Sequence, residues 1–407
     1  MKADIYLADR HESISATEPL LIPDNSRHRG ELNDLAFELT QKASGFRGSL
    51  PRPMQVPLAG LVRAINCYYS NLIEGHDTHP IDIERALRND YSQDRKKRDL
   101  QIEAKAHMAV QQWIDEGGLS VTQAVSPEGV VELHRRFCEH LPEALLWVDN
   151  PETGDRVRVV AGELRTRDVQ CVKVGQHVAV SPGSLPLFLA RFAELYGGLG
   201  KLDSLVAVAA AHHRLLWMHP FLDGNGRVAR LMSHAMLLGI LDTGAVWSVA
   251  RGLARKVQEY KTLLANCDAH RRNDLDGRGT LSEEALAEFT RFFLRVCIDQ
   301  VAFMETLVQP DRLRARVLVW AEEEVRAGEL PAQAGRILEA VLHRGEVARG
   351  DVDVIAGTGD RQARRILAAL VDRGVLASEG PRAPLHLAFP ASLAHRWMPG
   401  LVPERAD

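Results

Sequence analysis

From Pro57 onward the apolar positions fall at helical spacing. Leu58, Leu61, Val62, Ile65, Tyr69, Leu72 and Ile73 step by threes and fours, which predicts an amphipathic helix stopped by Gly75. The same period predicts helices over 82–87 and 101–114, and over 130–141 behind the start signal Ser126-Pro127-Glu128. It resumes over 186–195 and 203–218, then from about 226 to 241, over 250–267 and over 283–307. The body of 203–218 is Ala, Val and Leu, so that helix is expected at the centre of the molecule, with Asp203 as its N-cap. Residues 1–30 are polar and punctuated by proline and predict an irregular arm. The stretch 156–180 has β-branched residues near period two (RVRVV, VQCVKV) with breaks at Gly162 and Gly175, which predicts a short hairpin.

After 310 the pattern changes. Residues 313–327 predict a charged connecting helix and 328–333 a linker. Then come a helix at 335–343, a short one at 352–356, the turn Gly357-Thr358-Gly359-Asp360, a helix at 361–373, and strands at 374–376 and 385–387. This is a helix-turn-helix followed by a two-strand wing.

Composition narrows the classes. A chain of 407 residues is long enough for two or three domains, and a net charge of −4 gives no global reason to bind nucleic acid or membrane. The five cysteines (67, 138, 171, 267 and 297) are scattered with no C-x-x-C pair, as expected of single thiols in a reducing compartment. The first 23 residues lack the apolar core of a signal peptide, and no apolar run approaches the roughly 20 residues of a membrane helix. The expected location is the cytoplasm.

The chemistry is concentrated in His219-Pro220-Phe221-Leu222-Asp223-Gly224-Asn225-Gly226-Arg227-Val228-Ala229-Arg230. Pro220 breaks the central helix, and Gly224 and Gly226 permit positive φ and close backbone approach. Successive N–H groups there, with the next helix N-terminus, make an anion nest. Arg227 and Arg230 lie one turn apart and can both reach phosphate oxygens. Asp223 is a hard oxygen ligand suited to Mg²⁺ shared with phosphates, and His219 can accept a proton near neutral pH. Together they describe transfer from a nucleotide to a nucleophile.

This segment resembles the Fic family motif H-x-F-x-[D/E]-G-N-G-R-x-x-R at every specified position. The resemblance covers roughly 55–300 and implies a mainly α fold: a Fic helical core with a short β-hairpin flap, here followed by a C-terminal winged helix-turn-helix domain. It implies that His219 deprotonates the target hydroxyl, Asp223 holds Mg²⁺, Gly224, Asn225 and Gly226 cradle the α- and β-phosphates of ATP, Arg227 helps hold the phosphate chain, Arg230 binds the γ-phosphate, and Phe221 anchors the loop. The hairpin at about 164–174 resembles the family's flap, which adds a strand to the target backbone. A second motif, Ser70-Asn71-Leu72-Ile73-Glu74-Gly75, fits the family's inhibitory pattern [S/T]-x-x-x-E-[G/N]. A carboxylate at Glu74 facing Arg230 would occupy the γ-phosphate's place, with Ser70 one turn away on the same face.

The expected organisation is an arm at 1–55, N-terminal helices with the inhibitory motif at 56–125, the Fic core at 126–310, a linker helix at 311–333 and a winged-helix-like domain at 334–400. The expected activity is transfer of AMP from ATP to a Ser, Thr or Tyr hydroxyl of a target protein, including the chain itself, restrained by Glu74. Removal of AMP and transfer of another nucleotide are the alternatives within the enzyme class. The alternative of another class is a DNA-binding regulator with a nucleotide-sensing Fic domain, its reading helix starting with Arg361, Gln362, Arg364 and Arg365. Acids nearly balance the arginines of that unit, so protein contact is favoured over DNA, and a homodimer stays open. The run 272–283 is not a calcium loop, because Arg272 stands where its first acid is needed. His212, His213 and His234 lack the pair spacing of a metal site and are expected to be structural.

Overall fold

The computed structural model describes residues 9–149, 154–166 and 172–403. After an irregular stretch come α1 (Arg29–Ser49), α2 (Arg52–Ile73), α3 (Pro80–Leu87), α4 (Arg95–Asp115), α5 (Val121–Ala124) and α6 (Pro127–Cys138). Two short antiparallel hairpins follow, β1 (Trp147–Asp149) with β2 (Arg156–Arg158) and β3 (Lys173–Val174) with β4 (His177–Val178). The helices α7 (Leu185–Gly197), α8 (Lys201–Met218), α9 (Asn225–Leu241), α10 (Val249–Arg255), α11 (Val257–Asn266) and α12 (Glu283–Val308) complete the core. The remainder is α13 (Pro310–Arg326), α14 (Ala334–Arg344), β5 (Glu346–Val347), α15 (Val352–Ala356), α16 (Asp360–Asp372), β6 (Leu376–Ala377), β7 (Leu385–Leu387) and α17 (Ala394–Trp397).

The mainly helical fold follows the expectation, with four differences. First, α1 is not predicted by the spacing analysis. It buries Leu32, Ala36, Leu39, Ala43 and Phe46, at steps of four and three, against α12 and α8. Second, the hairpin expected over 156–180 is two hairpins. Residues 156–158 pair backward with 147–149, and the second hairpin turns at Gly175, whose φ is +60°. The expected flap at 164–174 includes 167–171, which lie outside the described residues; within its described part only Lys173 and Val174 are strand. Third, Asp203 is not the N-cap of α8. Gly200 takes that position, and Asp203 sits in the first turn, paired with the buried Arg29. Fourth, the helix expected over 250–267 breaks at Lys256 into α10 and α11.

The centre of the molecule is the α8–α9 pair, covered by α1, α4, α6, α7 and α12. Every side chain of α8 from Ser204 to Leu215 is buried because small alanines let its neighbours approach from all sides. At the C-terminal end, α14, α15 and α16 pack with an antiparallel sheet in the order β5-β7-β6. Trp397 meets Trp320 of α13 edge to face, centroids 5.3 Å apart, and contacts Phe389. The chain then folds back onto α2. Tyr69 donates its hydroxyl to the Leu401 carbonyl at 3.2 Å, and Arg251 donates to the Gly400 carbonyl at 2.6 Å.

Two stability predictions follow from this core. Trp397 is 1% exposed, so Trp397→Ala should cost about 3–5 kcal/mol, read as a fall in urea midpoint; an unchanged midpoint would show that the tail packing does not contribute. Apart from His219, burial pushes four imidazoles down, His107 and His212 to about 3, His134 to about 4 and His213 well below its ordinary value. All four are neutral when folded and take protons only on unfolding. Their stabilisation is therefore complete above about pH 6.5 and is lost as pH falls, down to about 4 for His134 and about 3 for His107 and His212, by about 1.4 kcal/mol per group and pH unit in between. Urea titrations at about pH 7 and about pH 5.5 should show this steep acid loss, and equal midpoints would refute it.

Candidate active site

The helix α8 stops at Met218 because Pro220 cannot continue it and His219 takes a left-handed conformation, φ 49° and ψ 61°. For a residue with a side chain this costs of order 1–2 kcal/mol, so the surroundings must hold it. Arg165 does so. Its Nε donates to the His219 carbonyl at 2.7 Å, and Nη2 donates to the carbonyls of Met218 at 3.0 Å and Val180 at 2.7 Å. Its backbone N–H donates to the Pro220 carbonyl at 2.9 Å.

Phe221 is fully buried and stacks on His134, rings 3.8 Å apart and 8° from parallel. His134 is itself fixed, because Nδ1 accepts the Gly162 N–H at 2.9 Å and Nε2 lies 3.3 Å from Cys138 Sγ. Asn225 closes the turn from the other side. Its Nδ2 donates to the Phe221 carbonyl at 2.8 Å and its Oδ1 accepts the Phe221 N–H at 3.0 Å. The Asn225 side chain is thus committed to the loop, and what it can offer a phosphate is its backbone N–H. Gly224 has φ +80°, and a Cβ there would lie 3.4 Å from His134 Cδ2.

The first turn of α9 leaves N–H groups without intrahelical acceptors, and the dipole adds positive potential there. A carboxylate sits in that place. Glu74 Oε1 is 2.5 Å from Arg230 Nη2 and would be 2.2 Å from a Cβ on Gly226. Arg230 also donates from Nε to Ser70 Oγ at 2.8 Å and from Nη2 to the Ser70 carbonyl at 3.0 Å. Burial would raise the Glu74 carboxyl, but the charges of Arg230 and then Arg227 outweigh it and hold Glu74 below the usual carboxylate range. Arg227 pairs with Glu103 of α4, and its Nη2 lies 3.6 Å from Asp223, which is half exposed at the rim. Burial and then the Arg165 charge push the His219 imidazole down to about 4, so it is neutral at physiological pH and able to accept a proton.

The structure therefore brings His219, Phe221, Asp223, Gly224, Asn225, Gly226, Arg227 and Arg230 to one turn and helix start, and adds Ser70 and Glu74 from α2. Gly75 ends α2 at φ +86°. Sequence reasoning missed Arg165, Glu103, His76 and His134. No local signal marks them, since each acts across the fold. His212 and His213 are structural in kind: His212 bonds Ser233 and Tyr260, and His213 bonds Asp268.

The Fic/DOC family profile matches residues 124–237. A "Protein adenylyltransferase Fic" of Culex quinquefasciatus is 28% identical over 191 residues, covering 44% of this chain and 34% of that protein. One of Drosophila erecta is 32% identical over 116 residues, covering 28% of this chain and 20% of that protein. The match thus spans a fifth to a third of these relatives' lengths. A crystal structure of a Fic family protein from Desulfovibrio desulfuricans shares the fold, with a TM-score of 0.50 at 16% identity over 87% of this chain and 96% of that one. The matched segment 124–237 contains the whole turn from His219 to Arg230, so this part of the chain is a domain of the Fic/DOC type.

Proposed function

We propose that this protein transfers AMP from ATP to a hydroxyl side chain of a target protein, and that Glu74 restrains the reaction. The observation that carries the reading is the convergence of a neutral histidine, an exposed aspartate and two buried arginines on one helix N-terminus. A phosphate chain laid along the start of α9 meets the N–H groups of Gly224, Asn225 and Gly226, with Arg227 and Arg230 at its flank. His219 then faces the acceptor and takes its proton as the acceptor oxygen bonds to the α-phosphorus and pyrophosphate leaves. The left-handed backbone held by Arg165 aims the imidazole. Asp223 is a single carboxylate at the rim, which suits Mg²⁺, a cation that binds through one or two carboxylates plus substrate phosphates. Mg²⁺ held there would neutralise charge on the phosphates.

Glu74 lies where the last phosphate would sit, and it pairs with the arginine that phosphate would use. This supports membership of the class with an N-terminal inhibitory helix. No described helix is long and apolar enough to cross a membrane. Cys67, Cys138, Cys267 and Cys297 are free and buried, which supports a reaction in a reducing compartment such as the cytoplasm. We further propose that 334–400 is a winged-helix module used for protein contact. At the start of α16, Arg364 is already paired with Asp360.

Incubation with Mg²⁺ and ATP labelled on the α-phosphate tests the enzyme reading. Glu74→Gly should label protein about tenfold or more above wild type, equivalent to about 1.4 kcal/mol. His219→Ala in that background should lose about 10²–10⁴-fold. Equal labelling with and without His219 would sink the mechanism, and label appearing only from another nucleotide would replace the donor. The docking reading predicts no specific DNA retardation at physiological salt. A sequence-specific, salt-dependent shift abolished by Arg361→Ala and Arg365→Ala would reverse it.

A further inference from the structure

Arg227 is held at three points, two of them outside the sequence motif. Nη1 donates to Glu103 Oε1, the guanidinium lies 4.9 Å over the ring of Phe137, and Nη2 faces Asp223 at 3.6 Å. Its Nε–H is buried with no hydrogen-bond partner among the described residues, an arrangement that points to an acceptor supplied from outside the protein. Glu103 is 1% exposed, and its second oxygen is 2.6 Å from His76 Nδ1, so both of its oxygens are engaged.

The contrast with Glu74 is physical. Glu74 sits at the end of α2 with its side chain a third exposed, and it can turn into water when a phosphate arrives. Glu103 lies in the middle of α4, and leaving Arg227 would strand an ionised carboxylate inside the protein. A phosphate approaching Arg227 therefore meets a guanidinium that stays paired at Nη1 and presents Nη2 on the side of Asp223. Loss of that brace frees a long side chain whose ordering must then be supplied on binding.

We propose that Glu103 is a positioning residue for the phosphate chain, fixing the direction in which Arg227 offers its free N–H groups. This rests on the nucleotide-transfer reading of the same site. It differs from an inhibitory role: one carboxylate of the site moves aside, and the other stays.

The test uses the full chain with Glu74→Gly, alone and combined with Glu103→Gln. Binding of Mg-ATP and of adenosine is measured by calorimetry, and ATP KM and kcat are measured for AMP transfer. Glu103→Gln should weaken ATP binding and raise its KM about tenfold, with a smaller change in kcat and no change in adenosine affinity. ATP affinity unchanged or improved would overturn the proposal, as would equal weakening of ATP and adenosine, which marks a merely structural role. Should the Gln variant not fold, Glu103→Asp, which keeps the charge but withdraws it by one methylene, carries the same comparison. If Glu74→Gly binds ATP but transfers nothing, the transfer reading fails while the binding ratio still decides Glu103. If it binds no ATP, both fall.

Discussion

Two guanidinium groups buried at the N-terminus of a helix set the terms for the rest of the molecule. Arg227 and Arg230 occupy the first two turns of α9 at 5% and 2% exposure, where the helix dipole adds positive potential to two positive charges. Such a pair persists only with negative charge beside it. In the structure that charge comes from Glu74 at the end of α2 and Glu103 in α4. The requirement therefore reaches far along the chain, since α2 must end beside α9 and α4 must cross it. It also dictates the absence of a side chain at Gly226, where a Cβ would overlap the Glu74 carboxylate. The same charge deficit that protein carboxylates fill is what a triphosphate fills on the proposed reading.

The turn itself is a built object and not a flexible glycine loop. Asn225 ties its own end of the loop to Phe221, and His134 packs flat on the Phe221 ring. Arg165 gathers the carbonyls of 180, 218 and 219. Arg165 lies at the start of the segment expected to form the flap, so the element expected to hold a target backbone and the proposed base share one anchor. Strain at His219 is maintained by contacts from three separate stretches of chain, as expected where geometry has to be kept for chemistry.

What the sequence makes legible here is whatever is contiguous. The motif from His219 to Arg230 carries its chemistry in twelve consecutive residues, and the Ser70–Glu74 spacing puts two groups on one helix face. Glu103, His76, Arg165 and His134 stay hidden because their partners lie 124, 27, 54 and 28 residues away, respectively. The helix α1 escapes notice for a different reason. Its buried stripe uses Ala36 and Ala43, which give little contrast, and Gly45 and Gly48 near its end read as a loop. Packing against α12 overrides that weak propensity. The break at Lys256 has no Pro or Gly to announce it, and Asp203 reads as a cap while its carboxylate is engaged by a distant buried arginine. The backward pairing of 156–158 was hidden because 147–149 is too short for period two to register.

How the restraint is released follows from where burial ends on α2. Ser70 and Asn71 are fully buried and Ile73 nearly so, and Tyr69 is tied to the C-terminal tail. Lifting the whole helix would therefore expose apolar surface and break the tail contacts. Glu74 is different: it stands at the C-cap, with backbone angles near φ −86° and ψ 0°, just before the left-handed Gly75. Among the described residues its side chain pairs with Arg230, through a carboxylate already partly in water. On the proposed reading, then, unclamping is a side-chain rotation at a helix end competing with one ion pair, while α2 remains in place and Ser70 keeps Arg230 oriented. A phosphate brings more charge than the carboxylate it displaces, and it leaves the rest of the site, Arg227 and its brace included, as it was.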